Sequence, residues 1–189
     1  MKSDTERDGR WRINTDRLDI VQLSVSDIQL LVDGRPEHVE QMLEASFPRP
    51  FSLPPLMSEA LPFICGWILE HPGAHWWQPW FFAQRERRLI LGLAGFSGPN
   101  ELGVLQLGYS VYREHQGHGY ATEAAAALIK LAWADSSITA IQATIPPWNA
   151  ESLRVADKLG MSVVGEGTDD EVGKILIYEL LRPLPPTPT

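Results

Sequence analysis

The sequence predicts one α/β domain built around a mixed, mostly antiparallel central sheet of about seven strands, with helices flanking the sheet. Three observations predict this fold class. Short apolar or alternating segments interchange with segments of helical periodicity along the 189 residues. Three consecutive strand segments are joined by links too short for a crossover, which indicates an antiparallel meander. A strongly amphipathic helix follows the last of these strands.

The element order is β-α-α-β-β-β-α-β-α-β-β. The predicted strands cover 18–23, 80–84, 89–96, 104–112, 138–145, 161–164 and 174–181. The predicted helices cover 24–33, 37–45, 119–134 and 150–159, and the long proline-rich stretch 46–75 is expected to carry a further short helix at 58–69. Pro36 precedes the second helix, 97–100 has turn chemistry between two strands, and Gly160 ends the last helix.

The ends of the chain differ in composition from the centre. We expect residues 1–12 to be a disordered, charged segment and 13–182 to be a single domain, because its length suffices to bury a sizeable core. The proline-dense segment 183–189 is expected to be an extended tail.

Composition excludes several classes of function. The formal net charge of −8 argues against a general nucleic-acid binder, which needs a basic surface. No apolar run of about 18 residues predicts a membrane span, and the charged N-terminus does not resemble a signal peptide. The single cysteine, Cys65, is expected to be a small buried apolar residue. A chain with one cysteine fits a reducing compartment, so we expect a cytoplasmic protein. We expect this protein to be a monomer or homodimer. The histidines lack metal-ligand spacing, so no metal is expected.

One turn carries a chemical signature. Gln116-Gly117-His118-Gly119-Tyr120-Ala121 lies where a predicted strand meets a predicted helix. The first amides of a helix have no internal partners and carry partial positive charge, and glycines let the backbone approach an anion closely. We therefore predict a pyrophosphate-binding turn. The lysine of a P-loop is missing, and Thr122 replaces the third glycine of the dinucleotide fingerprint. A nucleotide-phosphate protein remains an alternative at this point.

Three motifs occur along the chain: Thr15-Asp16-Arg17-Leu18, then Gln116, Gly119 and Ala121 of the turn, and then the segment 147–161. Together they resemble one family, the GNAT N-acetyltransferases, in their RimJ/RimL-like branch. Gln116, Gly119 and Ala121 fill the Gln/Arg-x-x-Gly-x-Gly/Ala pattern of the family's motif A, and Val111 stands where the family has a strand valine. The segment 147–161 is similar to the Asn-x-x-Ser…Lys-Leu-Gly-Phe stretch of these enzymes.

Upstream, Thr15-Asp16-Arg17-Leu18 resembles the Thr-x-Arg-Leu opening of that branch. The resemblance covers roughly residues 15–181 and implies a GNAT-like fold that uses acetyl-CoA as co-substrate.

The resemblance also implies a set of cofactor-binding residues. The strand before the turn would pair with the pantetheine arm, and the Val111 amide would serve as an oxyanion donor. Asn149 would bind the same arm, or cap the following helix, or do both. The implied residues are Tyr109, Ser110, Val111, Gln116, Gly117, His118, Gly119, Tyr120, Ala121, Thr122, Asn149 and Ser152.

The catalytic residues are less well marked. Ala156 occupies the position of the tyrosine acid found in many relatives, and Gln106 replaces a glutamate base. The resemblance offers Ser152 as a support for the leaving thiolate and Glu171 as a catalytic carboxylate. A solvated acidic turn is the structural alternative for Glu171, and a water chain could remove the proton instead.

The predicted function is acetyl transfer from acetyl-CoA to an amine, either of a protein N-terminus or of a small molecule. A non-catalytic acyl-CoA-binding module is the alternative, because both usual catalytic groups are missing. Trp76 and Trp77, which follow the proline-rich stretch, are candidates for a wall of the acceptor pocket or for core packing.

Overall fold

The computed structural model describes residues 5–7, 10–73 and 75–183, and within them nine strands form one sheet. The strands are β1 Thr5–Arg7, β2 Arg10–Asn14, β3 Leu18–Gln22, β4 Trp80–Gln84, β5 Leu89–Ser97, β6 Val104–Val111, β7 Ala140–Ile145, β8 Ser162–Asp169 and β9 Gly173–Leu181. Their order across the sheet is β1-β2-β3-β4-β5-β6-β7-β9-β8. The β6–β7 pair is parallel, and the other seven adjacent pairs are antiparallel.

Five α-helices cover the two faces of this sheet in the described ranges. They are α1 Val25–Val32, α2 Glu37–Leu43, α3 Met57–Glu70, α4 Tyr120–Ala132 and α5 Ala150–Lys158. Alternate strand residues divide between two cores: Phe82 packs with α4 and α5, whereas Phe81 packs with α1, α2 and α3. This division follows from the two-residue period of a strand. Cys65 of α3 lies in the second core, as predicted.

Each of the seven predicted strands and five predicted helices is present, and the predicted mixed, mostly antiparallel sheet is confirmed. The sheet has two additional strands, so the expected count of about seven was too low. Within the segment 1–12 that was expected to be disordered, the described residues pair as β1 and the start of β2. Residues 1–4 and 8–9 of that segment, and 184–189 of the expected tail, lie outside the described residues.

Two arginines of β2 explain why this polar segment forms a strand. The Arg10 guanidinium donates two hydrogen bonds of 3.0 Å to the carboxylate of Asp27, which is fully buried in the first turn of α1. Arg12 donates to the Met42 carbonyl at the end of α2. Burial opposes ionisation of Asp27, but hydrogen bonds from Ser24 and Arg10 lower its pKa. Long-range ionic contacts therefore hold β2, which hydrophobic periodicity does not reveal.

Gly92 of β5 is required where it faces β6. A Cβ atom at this position would lie 2.2 Å from the Ser110 carbonyl oxygen and 2.9 Å from Cζ of Phe82. We expect Gly92→Ala to displace β6 and to lower the free energy of unfolding by about 1–3 kcal/mol, as overpacking does. Denaturant unfolding measures this change.

Gly66 provides the matched control, because it lies in α3 and a Cβ there would meet no atom within 4 Å. We expect Gly66→Ala to raise the free energy of unfolding by about 0.5–1 kcal/mol through helix propensity. Equal effects of the two substitutions would contradict the packing assigned to Gly92.

Candidate active site

The central feature of the site is a wedge between β6 and β7. The two strands pair only over three residues of each, from Val104↔Ala140 to Gln106↔Gln142. Beyond this point β6 continues along β5 to Val111, whereas β7 continues along β9 to Ile145. The strands therefore separate, and the edge of β6 from residue 107 onward faces an open gap.

The backbone of β6 presents alternate residues to this wedge. The Tyr112 amide donates to the Leu91 carbonyl of β5, and the Ser110 carbonyl also lies on the β5 side, against Gly92. Because successive residues of a strand direct their backbone groups to opposite sides, the amides of Tyr109 and Val111 point into the wedge. On that side the Gln116 side chain donates to the Val111 carbonyl at 3.0 Å.

The predicted turn closes one end of the wedge. Gly117 and Gly119 have φ values of 77° and 80°, in the left-handed region that favours glycine. Gly119 is the N-cap of α4, and no side chain caps this helix. The first amides of α4 are consequently directed to the space in front of the turn, where the helix dipole favours an anion.

A cavity of about 450 Å³ fills the wedge and the space before α4. It brings together eleven of the twelve residues for which the resemblance implied cofactor binding. They are Tyr109, Ser110, Val111, Gln116, Gly117, Gly119, Tyr120, Ala121, Thr122, Asn149 and Ser152. Residues that are 30 or more positions apart in the chain thus meet in one place.

Two predicted residues are not among those that line this cavity. The His118 ring contacts the Gln116 carbonyl at 2.7 Å through Nδ1, and the His118 carbonyl accepts from Arg17. Glu171 lies in the turn between β8 and β9, where its amide donates to the Asp169 carboxylate. That turn is solvent-exposed, so the geometry favours the alternative in which Glu171 belongs to a solvated acidic turn.

Helix α5 forms the opposite wall of the cavity. The Asn149 carboxamide oxygen accepts from the Ser152 amide and caps the helix, which leaves the Asn149 NH₂ group to donate elsewhere. The Tyr109 hydroxyl donates to the Ser152 carbonyl at 3.2 Å and so bridges β6 and α5 across the wedge. Burial raises the pKa of Tyr109, although the bond to Ser152 opposes that shift.

Sequence reasoning missed part of the lining. Pro55 and Leu56, from the proline-rich stretch, form one rim, and Leu56 has a left-handed φ of 66° and is 77% exposed. The Ser110 hydroxyl donates to the Pro55 carbonyl. Arg154 and Lys158 of α5 also line the cavity. Their i, i+4 spacing after Asn149 was a usable signal, because it places both cations on one face of the helix.

Hydrogen bonds from Thr15 and Arg17, between β2 and β3, to Glu123 of α4 support the turn, and we call this group of contacts the clamp. The Glu123 carboxylate, in the first turn of α4, accepts from the Thr15 hydroxyl at 2.6 Å and from Nε of Arg17 at 2.7 Å. Arg17 also donates to the His118 carbonyl and lies 4.6 Å from the centre of the Tyr120 ring. Arg17 therefore balances the one acidic side chain in the first turn of α4 while holding the turn in place.

The tryptophans 76 and 77 have different surroundings. Trp76 packs against the core and makes an edge contact with Phe96. Trp77 stacks on Trp67 of α3, with 4.0 Å between ring centres, and lines a second cavity of about 330 Å³.

No helix in the described ranges is long and apolar enough to cross a membrane. The described residues also contain no group of three or more histidine, cysteine, aspartate or glutamate side chains that could hold a metal ion.

Comparison with known proteins identifies the family. The model of the acetyltransferase (GNAT) domain matches residues 17–162, which include the wedge, the turn and Asn149. The chain belongs to the GNAT acetyltransferase family. The family predicted from the sequence is thereby confirmed, and members of this family use acetyl-CoA. The uncharacterized N-acetyltransferase YjdG of Bacillus subtilis is 29% identical over 103 residues, which span 54% of this chain and 61% of that protein.

Solved structures share the fold of this GNAT family member. RimL, a ribosomal L7/L12 alpha-N-protein acetyltransferase in complex with coenzyme A, matches with a TM-score of 0.64 at 13% identity, covering 90% of this chain and 97% of that chain. Ribosomal-protein-S5-alanine acetyltransferase from Vibrio fischeri matches with a TM-score of 0.62 at 18% identity, covering 90% and 96%. At these identities the likeness establishes the fold.

The clamp generates a prediction on stability and pH. Burial opposes ionisation of Glu123, but the hydrogen bonds from Thr15 and Arg17 outweigh it and lower the pKa. A lowered folded-state pKa stabilises the fold above the unfolded-state value of about 4.3, and this contribution is lost as the pH falls through the folded-state pKa. We expect Glu123→Gln to lower the free energy of unfolding by about 1–2 kcal/mol at neutral pH, because charged hydrogen bonds are replaced by neutral ones.

Unfolding measured from neutral to acidic pH checks this expectation, and the difference from wild type should shrink below about pH 4. Glu59→Gln is the control, since Glu59 occupies the first turn of α3 and is exposed. A pH-independent effect of Glu123→Gln, or an equal effect of the control, would contradict the clamp.

Proposed function

We propose that the protein is an acetyl-CoA-dependent N-acetyltransferase that transfers the acetyl group to an amine of a small molecule or a protein N-terminus. The observation that carries this proposal is the shared cavity, because free strand amides and free helix amides face it from adjoining walls. An extended arm that ends in a pyrophosphate has complementary chemistry for both. Coenzyme A has this arrangement.

The pantetheine arm would pair with β6 as an added strand, on the amides of Tyr109 and Val111. The pyrophosphate would accept from the amides between Gly117 and Thr122, as anions do at helix N-termini. Arg154 and Lys158 line the same cavity and would neutralise the remaining phosphate charge. The NH₂ group of Asn149, which capping leaves available, would donate to an amide carbonyl of the arm.

Acetyl transfer forms an N–C bond and breaks the C–S bond of the thioester, with one proton lost from the amine. The Val111 amide would donate to the oxyanion of the tetrahedral intermediate. The Ser152 hydroxyl would donate to the departing thiolate. Ala156 carries only a methyl group, which packs in the core, so this position supplies no acid. Gln106 cannot accept a proton, and Glu171 lies outside the lining of the cavity, so we assign proton removal to water.

A cytoplasmic location and a monomeric or homodimeric state remain predictions from the sequence. RimL and the Vibrio fischeri enzyme act on ribosomal proteins according to their names, and an acceptor of that kind is one possibility for this chain. A binding module without catalysis is the competing function, since Gln106 and Ala156 replace the usual base and acid.

Thr122 provides a direct test of the binding half of the proposal. We expect Thr122→Glu to weaken coenzyme A binding at least about tenfold, because it places a carboxylate in the anion site, whereas Thr122→Gln should weaken it much less. Neither substitution strains the backbone, since Thr122 lies within α4. Calorimetric titration with coenzyme A measures both. Equal affinities for the two variants would place the pyrophosphate elsewhere.

Ser152 tests the catalytic half. We expect Ser152→Ala to lower kcat by about 10²-fold, a typical contribution of a positioned proton donor, while the KM for acetyl-CoA stays nearly constant. Release of free thiol during incubation with a panel of amines measures turnover. If wild-type protein binds coenzyme A but releases no thiol with any amine, the protein is a binding module.

A further inference from the structure

The second cavity lies close to the wedge but is lined by different residues. Its wall consists of two indole rings, the turn between β5 and β6, and the start of β6. The lining residues are Trp67, Trp77, Ser97, Gly98, Pro99, Asn100, Val104 and Gln106. No carboxylate or cationic side chain is among the lining residues that the structure describes. The cavity is therefore mainly apolar and aromatic, with neutral polar groups at Ser97, Asn100 and Gln106.

The outer face of β6 connects this cavity with the wedge. Gln106, Gly108 and Ser110 lie on one face of the strand, because alternate residues share a face. Ser110 marks the wedge end, and Gln106 marks the second cavity. A Cβ atom added to Gly108 would meet no atom within 4 Å, so the surface between the two sites is open. Gly108 lies midway, and Gln106 and Ser110 are about 13 Å apart along the strand, so an acceptor has to extend over Gly108 to reach the wedge.

A chain of hydrogen bonds orients the Gln106 side chain. Nε2 of Gln106 donates to Oε1 of Gln142 at 2.9 Å, and Nε2 of Gln142 donates to the Glu179 carboxylate at 2.7 Å. A carboxylate only accepts hydrogen bonds, so Gln142 must direct its NH₂ group to Glu179 and its oxygen to Gln106. Gln106 must then direct its own NH₂ group to Gln142. Its carbonyl oxygen is left to accept a hydrogen bond from another group.

The aromatic wall has a regular geometry. Trp77 and Trp67 stack with 20° between ring planes, and His71 stacks on the other face of Trp67 with ring centres 3.9 Å apart. Both tryptophans are half-buried and reach the cavity. A flat apolar group placed against this wall would gain both area burial and ring–ring contact.

We propose that this cavity selects the acceptor as a primary amine that carries a flat apolar group. The group lies against Trp77 and the edge of Trp67, and the amine extends over Gly108 towards the wedge and donates an N–H, through a water molecule, to the Gln106 oxygen. Glu179 acts as a positioning residue through Gln142. The proposal rests on the proposed acetyltransferase function and adds the substrate class. A polyamine is disfavoured, because the described lining offers no carboxylate for its additional charges.

Two amines of similar size and basicity test the aromatic contact. We expect kcat/KM for 2-phenylethylamine to exceed that for 2-cyclohexylethylamine by about 3–10-fold, and that for spermidine by at least about tenfold. Binding of 2-phenylethylamine to the coenzyme A-bound protein, measured by calorimetry, should follow the same order. Equal kcat/KM values for all three, or a preference for spermidine, would overturn the assignment.

Variants locate the contact. We expect Trp77→Leu to raise the KM for 2-phenylethylamine about tenfold and to leave the KM for acetyl-CoA unchanged. Trp11→Leu is the control, because Trp11 lies on β2 and is 42% exposed. Gly108→Ala, which places a methyl group on the open face of β6, should raise the amine KM without lowering the stability. Equal effects on both substrates would contradict a separate acceptor cavity.

The orienting role of Glu179 has its own test. Glu179→Gln removes the acceptor-only group, so Gln142 and Gln106 can both reverse, and the KM for the amine should rise about 3–10-fold. In the double variant Gln142→Glu with Glu179→Gln, the carboxylate at position 142 again accepts from Gln106, and the amine KM should return towards wild type. Absence of this rescue would remove Glu179 from the proposal.

The outcomes separate the two levels of inference. If amines are acetylated with the same kcat/KM whether or not they carry a flat apolar group, the acceptor assignment fails and the proposed acetyltransferase function stands. If no amine is acetylated and 2-phenylethylamine does not bind beside coenzyme A, both fail.

Discussion

The structure depends on the short pairing of β6 with β7. Three residue pairs hold the two strands together, and beyond Gln106 and Gln142 each strand follows a different neighbour. A strand that leaves its partner exposes backbone donors and acceptors, which need other partners. Gln116 satisfies the Val111 carbonyl, and the Tyr109 hydroxyl spans the gap to α5. The Tyr109 and Val111 amides are left available, and this break in the sheet is therefore the site that we propose for coenzyme A.

Each face of the sheet carries one of the two cavities beside this break. On one face, the turn before α4 and the start of α5 surround the larger cavity, and Arg17 and Glu123 hold the turn. On the other face, α3 brings Trp67 beside Gln106 and the second cavity. The start of β6 contributes Val104 and Gln106 to the second cavity, and its end contributes Tyr109, Ser110 and Val111 to the larger one. One strand would thus present the proposed cofactor and the proposed acceptor to each other. The proposed chemistry requires that arrangement.

Local patterns predicted much of this molecule, and long-range contacts account for the rest. Apolar periodicity located the seven strands and five helices, and the glycines at 117 and 119 with Asn149 marked the larger cavity. Strand β2 was missed because the contact that holds it joins Arg10 to Asp27, 17 residues further along the chain. The relation of Gln106 to Glu179 depends on register across three strands, which no local pattern specifies. Glu171 was suggested by the family resemblance, and the turn that carries it is exposed.

The most direct test of the central claim is amide hydrogen exchange of β6 with and without coenzyme A, measured residue by residue by NMR. The wedge predicts an alternating result, because Ser110 and Tyr112 direct their amides to β5 in the free protein. Coenzyme A should slow exchange at Tyr109 and Val111, and at the amides from Gly117 to Thr122, and should leave Ser110 and Tyr112 nearly unchanged. Unchanged exchange at Tyr109 and Val111 in the saturated complex would contradict the account.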